Sequence, residues 1–475
     1  MADQKETDQK INNPSRREFL KTGSIAAASF MIVPRFVLGG KGYRAPSDRL
    51  IVASVGAGGK GADDIAHFDR TGKAEIAFLC DVDDKQAAGT FAKFPKAKRY
   101  KDWRELLDKD SKHFDAVSVS TPDHTHAIVA YHAMQLGKHV YVQKPLTHDL
   151  AEARLLTEAA KKYKVVTQMG NQGASNDGTR LLTEWYDNDI IGDVHTVYCW
   201  TNRPVWPQGI AWPSTPAKVP ATLDWDLWLG TAPKKDFVDN LVPFNWRGWW
   251  DYGTGALGDM GCHLVEAPFR VLGLKYAKDV QASVGTVYVG EFKQGHFPES
   301  CPPSSHITLT FPKTEKTKGD ITLHWMDGGI QPERPEELGP NERFGDDGNG
   351  ILFIGEKGKM MASTYSEDPL LLPTSRTKEV SVKQTIQRVP GQANGHYGQW
   401  IEGAMAGYGN SYMSSSFDVA GPLTEALLMA NLAVRGHDLK GGHIKMLWDN
   451  DAMRITNFEA ANQFVKRQYR EGWTL

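Results

Sequence analysis

A chain of 475 residues is too long for one ordinary compact domain, which favours two domains. Its 40% hydrophobic and 24% charged residues exclude a largely disordered chain. With 55 basic and 57 acidic side chains and no basic stripe, nothing in the composition indicates a nucleic-acid partner. The four cysteines form no C-x-x-C pair, so no metal site is predicted, and one or two disulfide bridges stay open if the protein is exported.

The N-terminal segment, residues 1–40, carries a twin-arginine pattern at Ser15–Lys21, followed by an apolar stretch at Thr22–Val33. That stretch is shorter than the roughly 20 residues that a membrane-spanning helix needs. We interpret it as a twin-arginine signal, which predicts export, for example to the periplasm, and the translocation machinery as a partner. The alternative is a basic surface helix with paired arginines. No A-x-A site precedes Gly39-Gly40, so cleavage stays open.

Residues 45–170 alternate between short apolar runs and helical segments. The predicted strands are Leu50–Val55, Glu75–Cys80, Phe114–Ser120, His139–Val142 and Val165–Met169, and the predicted helices include Ala127–Leu136 and Leu150–Lys162. Apolar runs of this length are typical of strands buried on both faces. Their alternation with helices predicts an α/β domain with a doubly wound parallel sheet, a Rossmann domain.

The first predicted strand runs into Gly56-Ala57-Gly58-Gly59-Lys60-Gly61, a G-x-G-x-x-G that opens a helix. Asp81 follows 20 residues after Gly61, at the end of the second strand. Glycines let the backbone approach a pyrophosphate at the helix N-terminus, and the carboxylate binds ribose hydroxyls. Because a carboxylate repels a 2′-phosphate, Asp81 favours NAD over NADP.

Polar residues at later strand ends are expected to line the same cleft. The complete predicted cofactor-binding set is Gly56, Gly58, Gly59, Lys60, Gly61, Asp81, Thr121, Pro122, His124, His126, Gln143, Lys144 and Asn171.

Residues 171–475 have a different texture. Alternating runs such as Val194–Tyr198 and His306–Thr310 predict an α+β domain with an open, mostly antiparallel sheet, and part of residues 400–440 is expected to pack back on the first domain. Eight of the 14 tryptophans lie between Trp200 and Trp250. Aromatic faces bind sugar rings, so we place Trp206 and Trp250 in the substrate site, although core packing is the alternative for at least half of these tryptophans. Gly328–Gly350 is predicted to be a mobile loop.

Two further segments carry candidate catalytic groups. Lys144 follows a buried strand, where an unpaired ammonium is costly unless it serves a reacting hydroxyl or a nicotinamide. Asp259 and His263 are four residues apart after a glycine-rich entry, so a helix places both on one face and the carboxylate can orient the imidazole. Lys144, Asp259 and His263 are therefore also predicted to bind the substrate.

The order G-x-G-x-x-G, Thr-Pro-x-x-x-His, (Glu)-Lys-Pro and Asp-x-x-x-His over residues 49–440 resembles the glucose–fructose oxidoreductase/inositol dehydrogenase (Gfo/Idh/MocA) family. The resemblance implies that His263 is the general base, that Asp259 supports it, and that Lys144 positions the substrate and polarises its oxygen. It also implies a homo-oligomer, a dimer or tetramer. Two residues depart from the pattern: Gln143 replaces the usual Glu, and Glu266 stands where Asp is frequent.

The predicted reaction is NAD-dependent oxidation of a secondary hydroxyl of a sugar or glycoside, with carbon 3 as a candidate position. Since no free NAD pool exists outside the cytoplasm, export implies a tightly bound cofactor that is recycled in place. Two alternatives stay open: redox-neutral glycoside cleavage through transient oxidation at carbon 3, and a non-enzymatic protein that retains NAD.

Overall fold

The first strand shows how the sequence builds the N-terminal domain. Leu50–Val55 forms β1, and every residue of it except Ile51 is buried. Aliphatic and β-branched side chains suit a strand that is covered on both faces. The protein is described here by a computed structural model of residues 48–475, so the predicted signal segment, residues 1–40, lies outside the described residues.

β1 lies inside a six-stranded sheet. Its other strands are β2 (Ala74–Cys80), β3 (Lys98–Tyr100), β4 (Ala116–Val119), β5 (His139–Val142) and β6 (Thr167–Met169). The order is β3-β2-β1-β4-β5-β6 and all five pairings are parallel. The helices of this domain are α1 (Gly59–Arg70), α2 (Ala88–Lys93), α3 (Trp103–Asp110), α4 (Asp123–Gln135) and α5 (Leu150–Tyr163).

The predicted Rossmann-type parallel sheet is confirmed, with one strand missed. β3 has three residues, of which Lys98 and Arg99 are exposed. So short a strand contains no apolar run, which is why the sequence pattern did not reveal it.

The second sheet belongs to the C-terminal part. Its strands are β7 (Val194–Trp200), β8 (Asp279–Val284), β11 (Ser305–Phe311), β12 (Ile321–Met326), β13 (Gly350–Gly355), β14 (Gly358–Ala362), β15 (Leu370–Leu372), β16 (Met446–Asp449) and β17 (Arg454–Ile455), and a separate hairpin pairs β9 (Tyr288–Gly290) with β10 (Lys293–Gln294). The order is β15-β14-β13-β7-β12-β11-β8-β16-β17. Only the β7–β12 pair is parallel in the described sheet, which confirms the mostly antiparallel prediction.

The remaining helices are α6 (Asp177–Asp187), α7 (Trp225–Leu229), α8 (Gly255–Leu264), α9 (Glu266–Leu272), α10 (Arg376–Glu379), α11 (Gln392–Ala406) and α12 (Phe417–His437). Short 3-10 turns lie at Ser111–His113, Gln172–Ser175, Asn245–Gly248 and Glu459–Phe464.

Two C-terminal helices join the two sheets into one unit. In α11, Trp400 and Ile401 share a hydrophobic core with Ile65 and Phe68 of α1. α12 is long and apolar enough to cross a membrane by length and composition, but 89% of its apolar window is buried inside the protein. It packs against both α5 and β8 as a core helix.

Residues 201–254, called the tryptophan-rich segment below, contain only α7 and one 3-10 turn. The segment has its own hydrophobic core, which includes Leu223, Trp228, Trp246 and Trp249. Most tryptophans of this region are thus engaged in packing, because apolar rings without regular structure around them bury one another.

The cysteines are structural. Cys80, Cys199, Cys262 and Cys301 are buried free thiols, so the bridges left open by the sequence do not form. Within residues 48–475 no group of three or more His, Cys, Asp or Glu side chains could hold a metal ion.

Candidate active site

The glycine loop between β1 and α1 depends on residues without a side chain. Gly56 has φ +84°, and a Cβ there would lie 2.4 Å from the carbonyl oxygen of Ser120. A Cβ on Gly61 would lie 2.0 Å from the carbonyl oxygen of Gly56. Only glycine permits this approach of loop, helix and neighbouring strand.

Asp81 lies at the end of β2 and holds the glycine loop. Its Oδ2 accepts hydrogen bonds from the backbone amides of Ala57 (2.8 Å) and Gly58 (3.0 Å). Burial raises the pKa of the Asp81 carboxyl, and the backbone amides that donate to it oppose this rise. The carboxylate therefore fixes the loop as well as facing the cleft.

One cavity of about 550 Å³ joins the glycine loop to the candidate catalytic residues. The predicted site residues that line it are Gly56, Gly58, Gly59, Lys60, Asp81, Thr121, Pro122, Gln143, Lys144, Asp259 and His263. The volume is in the usual range of cofactor and ligand sites.

The residues at the glycine end fit a dinucleotide. Gly58 and Gly59 line the cavity where α1 begins, and a Cβ on Gly58 would collide with Gln86 at 2.5 Å. A helix N-terminus without side chains in front of it is suited to a pyrophosphate. Asp81 lies beside it for the ribose hydroxyls.

Lys60 and Gln143 are tied to a buried carboxylate between them. The Nζ of Lys60 lies 2.8 Å from Oδ1 of Asp64, and the Nε2 of Gln143 donates to its Oδ2 at 2.8 Å. Burial by itself lowers the pKa of Lys60, but Asp64, Tyr397 and Asp63 together outweigh it and raise that pKa above its usual value. Asp64 already supplies a negative charge here, which gives a physical reason for the neutral Gln143.

Lys144 is directed onto Asp259. Its Nζ donates to Oδ1 of Asp259 at 2.7 Å and to the carbonyl oxygen of the same residue at 2.8 Å. Burial alone would raise the pKa of Asp259, but the charges of Lys144 and Arg247 hold that pKa well below its usual range. The pair is therefore ionised.

His263, from the same helix as Asp259, is neutral. Burial, reinforced by the charge of Lys144, lowers the pKa of His263 to about 3. Its Nδ1 has no hydrogen-bond partner among the described residues, and its ring meets that of Tyr365 edge-on at 4.9 Å. Among the described residues Asp259 makes no hydrogen bond to His263, because its carboxylate is engaged by Lys144 and Arg247.

Arg247 and Tyr365 complete this end of the cleft and were missed by the sequence reasoning. The Nε of Arg247 lies 3.4 Å from Oδ1 of Asp259, and its Nη1 lies 3.5 Å from Oδ1 of Asp123. Both residues line the cavity. Neither occurs in a recognisable motif, and only the fold brings them beside Lys144.

Four residues of the predicted cofactor set lie outside the cavity lining, each for a packing reason. Gly61 is covered by the carbonyl of Gly56. The ring nitrogens of His124 face the carbonyls of Tyr252 and Trp228, and those of His126 face the carbonyls of Pro145 and Thr121. Asn171 donates to the carbonyl of Cys262.

The two predicted sugar-stacking tryptophans are also corrected. Trp206 is buried, donates to Gln208 and meets Phe244 edge-on. Trp250 is buried outside the cleft, near the guanidinium of Arg435. The rings that do line the cavity from this segment are Phe244, Trp246 and Trp228. Glu266, the second departure from the family pattern, is buried and paired with Arg270.

Two family models match the chain, an NAD-binding Rossmann domain over residues 50–171 and a C-terminal alpha/beta domain over residues 192–294, both of the Gfo/Idh/MocA oxidoreductase family. These two regions are therefore similar to the two domains of that family, and the first of them matches its NAD-binding domain.

Individual relatives are similar to about a third of the chain. A glycosyl hydrolase family 109 protein of Shewanella pealeana is 29% identical over 192 residues, which cover 35% of this chain and 42% of the relative. An inositol 2-dehydrogenase/D-chiro-inositol 3-dehydrogenase of Lacticaseibacillus casei is 34% identical over 149 residues, which cover 30% and 42%. The chain thus spans less than half the length of these curated relatives.

A solved structure extends the likeness over most of the fold. The WlbA dehydrogenase of Bordetella pertussis, in complex with NADH and UDP-GlcNAcA, has a TM-score of 0.56 at 15% identity and covers 84% of this chain and 99% of its own. The common architecture therefore includes both domains.

Proposed function

We propose that the protein is an NAD-dependent oxidoreductase that oxidises a secondary hydroxyl of a sugar or glycoside, with carbon 3 as a candidate position. One observation carries the proposal: Lys144 and a neutral His263 line the same cavity as the glycine loop. Dehydrogenation of an alcohol needs a proton acceptor and a polarising cation next to the hydride acceptor. The inositol dehydrogenase among the relatives supports the choice of a polyol.

His263 is suited to take the hydroxyl proton. In its neutral form the imidazole keeps one ring nitrogen unprotonated, which a general base requires. NAD held at the glycine loop would supply the acceptor for the hydride from the carbon that bears this hydroxyl, and the alcohol would become a ketone. The ionised Asp259 offsets the positive charge that His263 gains, because its carboxylate acts on the imidazole electrostatically.

Lys144 is suited to hold the reacting oxygen. Two of its ammonium hydrogens are directed at Asp259, which fixes the position of Nζ in the cavity. The third hydrogen is available for a substrate oxygen. A cation in this place stabilises negative charge on that oxygen as its proton leaves.

Export and cofactor retention belong to the same proposal. The twin-arginine pattern at Ser15–Lys21 supports translocation of the folded protein, and an enzyme outside the cytoplasm must keep and recycle its NAD. Paired copies of the chain, joined through the half-exposed face of the second sheet, are the expected assembly.

A second candidate function is redox-neutral glycoside hydrolysis, in which oxidation at carbon 3 is followed by elimination, water addition and re-reduction. The relative of Shewanella pealeana named as a glycosyl hydrolase favours it. The same three residues serve both reactions at the oxidation step.

One experiment separates these functions. The purified protein is analysed for co-purified NAD, and then mixed with myo-inositol, free sugars and nitrophenyl glycosides while absorbance at 340 nm and nitrophenol release are followed. Lasting reduction supports the dehydrogenase, and nitrophenol release without net reduction supports hydrolysis. Bound NAD that responds to none of the compounds contradicts both and indicates a binding protein.

A further inference from the structure

The tryptophan-rich segment is joined to the loop that follows Asp81. The backbone amide of Asp84 donates to the carbonyl of Thr222 at 3.1 Å, and the amide of Asp224 donates to the carbonyl of Val82 at 2.9 Å. Between these two bonds, Asp83 and Leu223 form an antiparallel bridge. A short piece of the second domain therefore pairs, strand-like, with the ribose-binding edge of the first.

This pairing brings part of the tryptophan-rich segment to the adenosine end of the cleft. Leu223, Leu227 and Trp228 line the cavity that Asp81 also lines. Asp81 marks the position of the adenosine ribose, since a carboxylate after the second strand binds those hydroxyls. Leu223, Leu227 and Trp228 belong to residues 222–228, called the roof below, which thus line the cavity beside the ribose position.

The two sides of the roof are attached with unequal strength. On the cleft side, the two backbone bonds are supplemented by the exposed Lys101, which pairs with Asp84 at 2.9 Å and reaches the carbonyl of Thr222 at 3.3 Å. Exposed pairs of this kind contribute little. The polar attachment of the cleft side therefore rests on the two backbone bonds.

On the far side, the C-terminal stretch anchors the roof. The guanidinium of Arg470 pairs with the carboxylate of Asp226 and donates to the carbonyls of Asp226 (2.9 Å) and Gly230 (3.1 Å). The backbone amide of Arg470 also donates to the carbonyl of Thr231 at 3.1 Å. Four contacts from one residue make this side a fixed base.

We propose that the roof gates the dinucleotide: NAD enters and leaves only when residues 222–224 separate from residues 82–84, and this separation makes exchange slow. The inference rests on the proposed function for the presence of NAD and deepens its cofactor retention. It assigns retention to contacts between the protein's own two domains rather than to contacts with the cofactor alone.

A reversible cross-link tests the gate. Asp83 and Leu223 face each other as a bridge pair between the two backbone bonds, which is a geometry that suits a disulfide. The four native cysteines are buried, so a new bridge in an Asp83→Cys/Leu223→Cys variant forms without competition from them. The same protein, oxidised and then reduced, is its own matched control.

The measurement is exchange of bound NAD for isotopically labelled NAD, followed by mass spectrometry after rapid desalting. We expect exchange at least ten-fold slower in the oxidised protein, and recovery on reduction. Equal exchange in both states overturns the gate. A protein that binds no NAD in either state, nor as wild type, overturns the proposed function together with it.

A second variant loosens the roof from outside the cavity. Arg470→Met removes the three anchor contacts made by the guanidinium, and its control is Lys318→Met, which removes a remote surface pair with Glu356. We expect NAD release to be several-fold faster in Arg470→Met and unchanged in Lys318→Met, with both variants folded by near-ultraviolet circular dichroism. Unchanged release from a folded Arg470→Met contradicts the anchoring role.

Discussion

The two ends of the cleft are built in different ways. At the glycine end, backbone conformation determines the shape, and Gly56, Gly59 and Asp81 come from one continuous stretch of sequence. At the catalytic end, charge determines the arrangement, and Lys144 of the first domain meets Arg247 and Asp259 of the second. The contrast teaches that steric changes should act on the first end and changes of charge or proton affinity on the second.

The largest effect is expected from His263→Ala. Loss of a general base typically lowers turnover by about 10³-fold, while bound NAD should be retained because the glycine end is untouched. His324→Ala, whose ring stacks on Tyr198 in the second sheet, is the matched control. Turnover near the wild-type rate in steady-state assays would show that another group takes the proton.

Gly56→Ala should weaken the binding of NAD and leave turnover nearly unchanged, which is the reverse of the effect of His263→Ala. The added Cβ lies 2.4 Å from a carbonyl oxygen at a φ of +84°, so the loop must shift. We expect NAD affinity to fall about 100-fold, with turnover at saturating NAD nearly unchanged. Gly89→Ala is the control, because a Cβ there meets nothing within 4 Å. Fluorescence titration with NAD measures both, and equal affinities would end the distinction between the two ends.

Gln143, which lies between the two ends of the cleft, is tested by a substitution that adds a negative charge. Gln143→Glu places a second carboxylate beside the buried Asp64 and should lower the free energy of unfolding by about 2 kcal/mol. Combining it with Asp64→Asn exchanges the two groups and should restore most of the loss. Urea unfolding of both variants measures this, and an equally unstable double variant would contradict the explanation given for Gln143.

The smallest expected effect is on the pH dependence of the free energy of unfolding. His263 has a pKa of about 3 when folded against 6.5 as its ordinary value, so the unfolded chain binds a proton more readily. Its contribution to stability is complete above about pH 6.5 and is lost progressively as pH falls toward 3. When the pH falls from 7.5 to 5.5, the free energy of unfolding of the wild type should decrease by about 1.4 kcal/mol more than that of His263→Gln. Identical pH dependences in urea unfolding would mean that His263 is not buried as a neutral group.

The same contrast explains how far the sequence could lead. The glycine loop, Asp81, Lys144 and His263 could be predicted because local motifs fix them, and the structure places all of them around one cavity. Arg247 and Tyr365 could not, since nothing near them in the sequence marks them. Their place in the site follows from long-range packing.

The structure departs from the predicted site residues where one residue type occurs both in clefts and in packed cores. Trp206 and Trp250 belong to an aromatic-rich stretch, but composition does not tell a ring that faces a cleft from one in a core. His124 is surrounded by carbonyl acceptors that come from residues more than 100 positions away. Fold class was easier, because periodicity over many residues averages out such local ambiguity.

The buried free thiols have a consequence for how the protein matures. Burial raises the pKa of Cys80, Cys199, Cys262 and Cys301, so none of them presents a thiolate to an oxidant. Maturation then needs neither an oxidase nor an isomerase. The finished protein is chemically the same molecule in a reducing and in an oxidising compartment, which is compatible with the proposed export of an already folded chain.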